Sequence, residues 1–130
     1  MKNWAIILGA SSGIGAACAK SLAKKGINIY GIYLRKKQNE IDIIKQDLES
    51  FGVDVIFKKG NASNEDTINQ SINELLELKE VRVKMLIHSI AFGTLKPMID
   101  IDGNQLSKKN IDMTLDVMSN NLLYWTQAIF

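Results

Sequence analysis

Five apolar residues, Trp4 to Leu8, run without interruption into Gly9, and Gly13 and Gly15 follow a few residues later. An unbroken run of this length suits a strand covered on both faces, which is the environment of a parallel sheet. Parallel neighbours need a crossover between them, usually a helix that packs back onto the sheet. The sequence supplies one. Gly13 to Lys25 reads as a helix with Ala16, Ala17, Ala19, Leu22 and Ala23 apolar, and Gly26 is placed to end it in a left-handed conformation. The pattern then repeats. Residues 27–33 read as a strand, residues 38–51 as a helix with Ile41, Ile44, Leu48 and Phe51 at helical spacing, and residues 53–57 as a third strand. Ser63-Asn64-Glu65-Asp66 has the form of a capping box with Ser63 as N-cap, ahead of a stripe of Ile68, Ile72, Leu75 and Leu76. Residues 84–90 read as a fourth strand, and residues 107–130 as one long helix. Alternation of this kind predicts an α/β fold, a doubly wound parallel sheet of strand order 3-2-1-4 with helices on both faces. A complete doubly wound sheet continues beside its fourth strand, so residues 1–130 are expected to form one domain that is the N-terminal half of a longer one.

Composition narrows the function. A net charge of +2 is too small to imply nucleic acid or a membrane as partner, and 46% hydrophobic against 23% charged residues describes a globular chain, not a disordered one. Cys18 is the single cysteine and has no partner for an internal disulfide. The apolar run at the N-terminus is too short for a signal sequence or a span of about 20 residues. A cytoplasmic location and no metal site are the expectations that follow. Met85, Met98 and Met113 read as core or interface filler, and Cys18 as a small helix-packing residue.

The chemistry lies in the turns after the strands. Gly9-Ala10-Ser11-Ser12-Gly13-Ile14-Gly15 joins a strand to a helix, the context in which glycines let a pyrophosphate approach free backbone amides at the positive end of the helix. The spacing is GxxxGxG, and LGASSGIG strongly resembles the short-chain dehydrogenase/reductase family, whose fold is the Rossmann-type sheet. The resemblance covers the whole chain and implies an NAD(P)-binding domain in which Gly9, Ser11, Ser12, Gly13, Ile14 and Gly15 hold the cofactor. About 20 residues past Gly15, where an NAD enzyme places an acid on the ribose, stand Leu34, Arg35, Lys36 and Lys37. With no carboxylate to repel a 2′-phosphate, and cations able to bind it, this segment implies NADP(H). Ser12 stands where many NADP-dependent members carry Arg or Lys. Asn61-Ala62 occupies the place of the family's Asp-Val pair, which holds the adenine. The Asn61 amide oxygen is expected to accept from the adenine amino group as a carboxylate would.

After the fourth strand, His88-Ser89-Ile90-Ala91-Phe92 replaces the Asn-Asn-Ala-Gly of most members and is similar to the enoyl-acyl-carrier-protein reductase branch. In that branch the loop backs the cofactor ribose and nicotinamide, which assigns Ser89, Ile90 and Ala91 to the site, with Ile90 near the nicotinamide. His88 itself reads as a hydrogen-bonded structural residue. Aligned through Thr126-Gln127-Ala128, Met118 stands where ordinary reductases of the family place an active-site Asn, which again points to the enoyl branch; Asn120 or Asn121 takes that place only if the helix register differs. The family's catalytic Tyr and Lys are not matched here. Tyr124 is followed by Trp, Thr, Gln, Ala, Ile and Phe, with no Lys, so no catalytic residue is assigned within residues 1–130.

The resemblance thus implies NADPH-dependent reduction of an acyl thioester in fatty-acid synthesis, with a small-molecule or carrier-protein-bound acyl group as substrate. The alternatives are a 3-oxoacyl or carbonyl reductase, and a dinucleotide-binding protein without catalysis. Family members commonly form dimers or tetramers through the last helix, and Ile111, Leu115, Leu122 and Trp125 fit burial there or in a core.

Overall fold

The computed structural model describes all 130 residues. In chain order the elements are β1 (Lys2–Leu8), α1 (Gly13–Ala23), β2 (Asn28–Tyr33), α2 (Gln38–Glu49), β3 (Val55–Lys59), α3 (Glu65–Glu77), β4 (Val81–His88), α4 (Lys108–Leu115), a π-helical turn over Asp116–Asn120, and α5 (Asn121–Ile129). The strands form one parallel sheet in the order β3-β2-β1-β4, the doubly wound arrangement that the alternation predicts.

The central strand explains the two-layer cover. Along β1, Trp4, Ile6 and Leu8 point to one face and pack with Tyr30, Ile32, Ile68, Leu75 and Trp125, under α3 and α5. Ala5 and Ile7 point to the other and pack with Ala19, Ala23, Leu48 and Val55, under α1 and α2. Because each side chain of β1 from Trp4 to Leu8 is buried, the strand shows no polar alternation and reads as a plain apolar run.

Several boundaries differ from the sequence reading, four of them for a local reason that the contacts show. Strand β4 begins at Val81 because Val81 and Val83 pair with Lys2 and Trp4, after which Ala5 pairs with Met85 and Lys84 is left as a bulge. That extra residue breaks the period of two and hides the first half of the strand from a pattern search. Strand β3 begins at Val55, since the Asp54 amide is taken by the Asn28 side chain at 2.8 Å. The N-cap of α3 is Asn64, whose side chain accepts from the Asp66 amide at 2.9 Å, and Ser63 makes no capping box. Ser63 is displaced from that role because its amide donates to Asn61 Oδ1 at 2.9 Å, a turn closed one residue earlier. The single long helix over 107–130 is interrupted by the π-helical turn between α4 and α5. Trp125 lies in the core, its indole N–H donating to the Ala62 carbonyl at 2.8 Å, while Ile111, Leu115 and Leu122 remain exposed.

Two contacts fix the β1–α1 junction. Gly9 has φ +85°, and a β-carbon there would overlap the Ser89 carbonyl; a β-carbon on Gly15 would overlap the carbonyl of Gly9. The helix therefore starts directly against the strand end. Gly13 also has a positive φ, +55°, but a β-carbon on it would meet open space. We expect Gly13→Ala to cost about 1 kcal/mol, the strain of a left-handed alanine, and to keep the fold. Gly15→Ala must push the helix start away from the Gly9 backbone and is expected to cost about 3 kcal/mol or more. Denaturant midpoints of the two variants check this ordering.

A polar cluster lies between the sheet and α3. The Tyr30 hydroxyl and the Lys58 ammonium both donate to the Glu74 carboxylate. Burial and the Glu74 contact together push the Tyr30 phenol well above its ordinary value. Burial raises Glu74 too, but the hydrogen bonds from Lys58 and Tyr30 and the Lys58 charge outweigh it and hold the carboxyl below its usual 4.5. A carboxyl so depressed contributes stability that is complete above its unfolded value and is lost as pH falls through its folded one. The Glu74→Gln variant is expected to melt below the parent at about pH 7, with the gap closing toward about pH 3 as the parent's carboxyl is protonated. With Glu74 partly exposed the gap at neutral pH should be about 1 kcal/mol or less, readable from paired thermal melts.

Candidate functional site

All four strands end on one rim, and the loops that leave them surround a cleft of about 660 Å³. Gly9 and Ser12 come from the turn after β1, Leu34 and Arg35 from the end of β2, Gly60 to Asn64 from the end of β3, and Ser89 to Phe92 from the end of β4. Met113, Asp116 and Val117 close it from the helical side. Crevices at the carboxyl ends of the strands, where the crossovers turn to opposite faces, are where doubly wound sheets bind ligands.

The glycine turn is sewn to its neighbour and otherwise open. The amides of Gly9 and Ala10 both donate to the Ile32 carbonyl, at 3.0 and 3.1 Å. Beyond them the amides of Ser11, Ser12, Gly13, Ile14 and Gly15 find no acceptor within the protein, and Ala16 is the first to bond back, to Ser12 at 3.2 Å. Ser12 is extended and does not cap the helix with its side chain, and the first turn of α1 holds no acid. Five free donors at a positive helix end make this the most anion-attracting backbone of the rim. Of the group, Gly9 and Ser12 line the cleft; Ser11 is half-buried, Gly15 is buried, and Gly13 and Ile14 are exposed outside the lining.

The basic segment after β2 is unpaired. Arg35 is exposed and lines the cleft beside Leu34, while Lys36 is half-buried and Lys37 exposed, both outside the lining. Arg35, Lys36 and Lys37 make no ion pair. The acid nearest in sequence, Glu40, is turned onto the Lys37 backbone amide at 3.2 Å, where it caps α2.

At the end of β3, Asn61 is exposed in the cleft wall and Ala62 is buried beneath it. The Asn61 oxygen assigned from sequence to an adenine amino group is already engaged, by the Ser63 amide at 2.9 Å. The Ser63 hydroxyl is buried in the same wall without a partner.

After β4, the Ser89 amide donates to the Leu8 carbonyl at 2.8 Å, which holds the loop against the glycine turn. Ile90 is half-buried against the core and Ala91 is exposed, both in the cleft lining. His88 Nε2–H donates to the Val117 carbonyl at 2.9 Å, so the ring is a satisfied structural residue as its isolation in the sequence suggested. Val117 lies in the π-helical turn, a feature frequent at functional sites. One residue on, Met118 Sδ accepts from the Phe92 amide at 3.1 Å. The end of β4 and the loop after it are thus each tied to the irregular turn of the last helix. Sequence spacing did not reveal that turn, though Ser119-Asn120-Asn121 is a run of residues that hold helices poorly. Asn121 is fully buried, with both amide atoms unpartnered, and does not line the cleft.

No group of three or more His, Cys, Asp or Glu is placed to hold a metal ion, and no helix is long and apolar enough to cross a membrane. A depression of about 820 Å³ over Lys108, Asp112 and Asn120 is lined by the last helices alone, shares Met113 and Asp116 with the cleft, and includes none of the strand-end loops.

Comparison with known proteins agrees with this architecture. The chain is 28% identical over 117 residues to a very-long-chain 3-oxoacyl-CoA reductase of Anas platyrhynchos, covering 90% of this chain and 35% of that protein. A very-long-chain 3-oxoacyl-CoA reductase of Pyrenophora tritici-repentis is 35% identical over 96 residues, covering 68% of this chain and 28% of that one. The chain therefore spans about a third or less of these relatives. Among solved structures, a 3-oxoacyl-[acyl-carrier protein] reductase from Brucella melitensis in complex with NAD superposes with a TM-score of 0.79 over 99% of this chain and 48% of that one. At 22% identity that likeness speaks for the fold alone. The sequence profile of the short chain dehydrogenases matches residues 3–130, from β1 through the glycine turn to the end of α5. On that match and this sheet, the chain belongs to the short chain dehydrogenase family.

Proposed function

We propose that these residues are the cofactor-binding region of an NADP(H)-dependent oxidoreductase that delivers hydride to the β-carbon of an acyl thioester. The observation that carries the cofactor choice is Arg35, which lines the cleft and makes no ion pair.

The donor set fits a phosphorylated dinucleotide. Free amides from Ser11 to Gly15 suit the pyrophosphate, and the absence of β-carbons at Gly9 and Gly15 keeps the turn tight enough to present them. Arg35 and Lys36 suit the 2′-phosphate, and Asn61 with Ala62 the base. Ser89, Ile90 and Ala91 back the ribose and nicotinamide. The cofactor, when bound, supplies the hydride. What this chain does is placement: the loop after β4, held by Leu8, Val117 and Met118, fixes one wall against which a nicotinamide face lies.

Met118 favours enoyl over 3-oxoacyl reduction. A thioether occupied by the Phe92 amide cannot relay a proton as the Asn of the ketoreductases does. The 3-oxoacyl reading is favoured in turn by the names of the relatives above, and both reactions place hydride on the same carbon. Self-association through the exposed apolar side of α4 and α5, including Ile111, Leu115 and Leu122, belongs to the same proposal.

Two measurements on the complete polypeptide carrying this sequence test the reading. Arg35→Ala should weaken NADPH binding by about 1.5–3 kcal/mol, the range for a hydrogen bond to a charged group, and leave NADH nearly unchanged. Equal losses for both would remove the basis for NADP(H). With saturating NADPH, crotonyl thioester should be turned over and acetoacetyl thioester not; the reverse preference would select the 3-oxoacyl reading, and no turnover of either would leave only a nucleotide-binding role.

A further inference from the structure

The chain has five methionines, and the sulfur of one, Met118, takes a hydrogen bond, from the Phe92 amide at 3.1 Å. That amide has no other acceptor within the protein. Phe92 and Ala91 line the cleft, and their loop is otherwise held by the Ser89 amide on Leu8 and, at the strand end, by His88 on Val117. The Met118 bond is therefore the last tether before residues 93–106, which hold no helix or strand. Met118 is 44% exposed, so a small solute reaches its side chain.

A thioether sulfur carries two lone pairs. One faces the Phe92 amide, and the other is free to attack. With hydrogen peroxide, that second pair forms a bond to one oxygen as the O–O bond breaks. Sulfur loses two electrons, the peroxide gains them, and its other oxygen leaves with both protons as water. The sulfur of the resulting sulfoxide is a poorer acceptor than the thioether. The new oxygen is the stronger acceptor but stands on the side away from the amide, so the bond to Phe92 does not survive in its present geometry.

We propose that Met118 is an oxidation site, at which conversion of the thioether to the sulfoxide by a peroxide releases the Phe92 amide and loosens this wall of the cleft. The effect on nucleotide rests on the dinucleotide reading of the cleft; the release of the loop does not. The other methionines lack this coupling. Met98 is 81% exposed with no hydrogen bond to its sulfur, and Met113 lines the cleft without holding a backbone group.

The test treats the complete polypeptide with hydrogen peroxide and reads three things: the oxidised residues by mass spectrometry, amide exchange over residues 89–93, and NADPH affinity. Met118 is expected to be oxidised, exchange over 89–93 to speed up, and NADPH affinity to fall about three- to ten-fold, the equivalent of one hydrogen bond. Methionine sulfoxide reductase should restore both. Met118→Leu, at an exposed position, should start near the affinity of the oxidised parent and not respond to peroxide, whereas Met98→Leu and Met113→Leu should respond as the parent does. A Met118 that stays reduced while Met98 is oxidised would overturn the proposal. So would a Met118 sulfoxide with unchanged exchange, or a Met118→Leu variant that still loses affinity, which would move the effect to another sulfur such as Cys18. Absence of NADPH binding before treatment would instead overturn the dinucleotide reading, and exchange over 89–93 would still decide whether Met118 holds the loop.

Discussion

The junction between β1 and α1 closes so tightly that backbone meets backbone on both sides of it. Gly15 lies against the Gly9 carbonyl and Gly9 against the Ser89 carbonyl, with no room for a β-carbon at either contact. Everything at the rim follows from that spacing. The start of α1 is drawn up to the end of the central strand, so its free amides open beside the loops after β2, β3 and β4 instead of away from them. The loop after β4 is pulled against the glycine turn by the Ser89 amide on Leu8. Close backbone approach thus brings three sequence-distant segments into one wall, at the cost of the conformational entropy that glycine carries in the unfolded chain.

A second constraint comes from the far side of the cleft. There the Val117 carbonyl, in the π-helical turn, accepts from His88. Met118 on the Phe92 amide ties the last helix to the loop after β4 as well. His88 acts here through its imidazole N–H on the Val117 carbonyl. This gives the His-Ser-Ile-Ala-Phe segment a structural meaning that does not depend on any relative: it belongs with an irregular helix.

Much of this was legible in the residues. The order of elements, the strand order and the cleft-forming loops follow from one apolar run, its glycines and four rounds of alternation. What stayed hidden was set by contacts that no local pattern encodes. Lys84 as a bulge breaks the period of β4, and the cap of α3 moves from Ser63 to Asn64 because Asn61 reaches forward to the Ser63 amide. The orientation of the Asn61 carboxamide follows from the same hydrogen bond, which sequence alone leaves free to point either way. Trp125, equally apt for an interface or a core by its spacing, goes to the core because its indole reaches the Ala62 carbonyl.

The bulge at Lys84 gives β4 a spare link. From Lys2 to Trp4 the strand pairs one to one with Val81 to Val83, and from Ala5 to Leu8 with Met85 to His88, so the ladder would close without Lys84. The extra residue shifts the phase of the strand by one, which lets Val83 and Leu86 share a face although they are three positions apart. It also adds local right-handed twist just upstream of His88. The carboxyl end of β4 is thereby a separately adjustable segment: residues on its two sides can change face preference independently, and the swing of the strand end that carries His88 and Ser89 is set by a residue that touches neither.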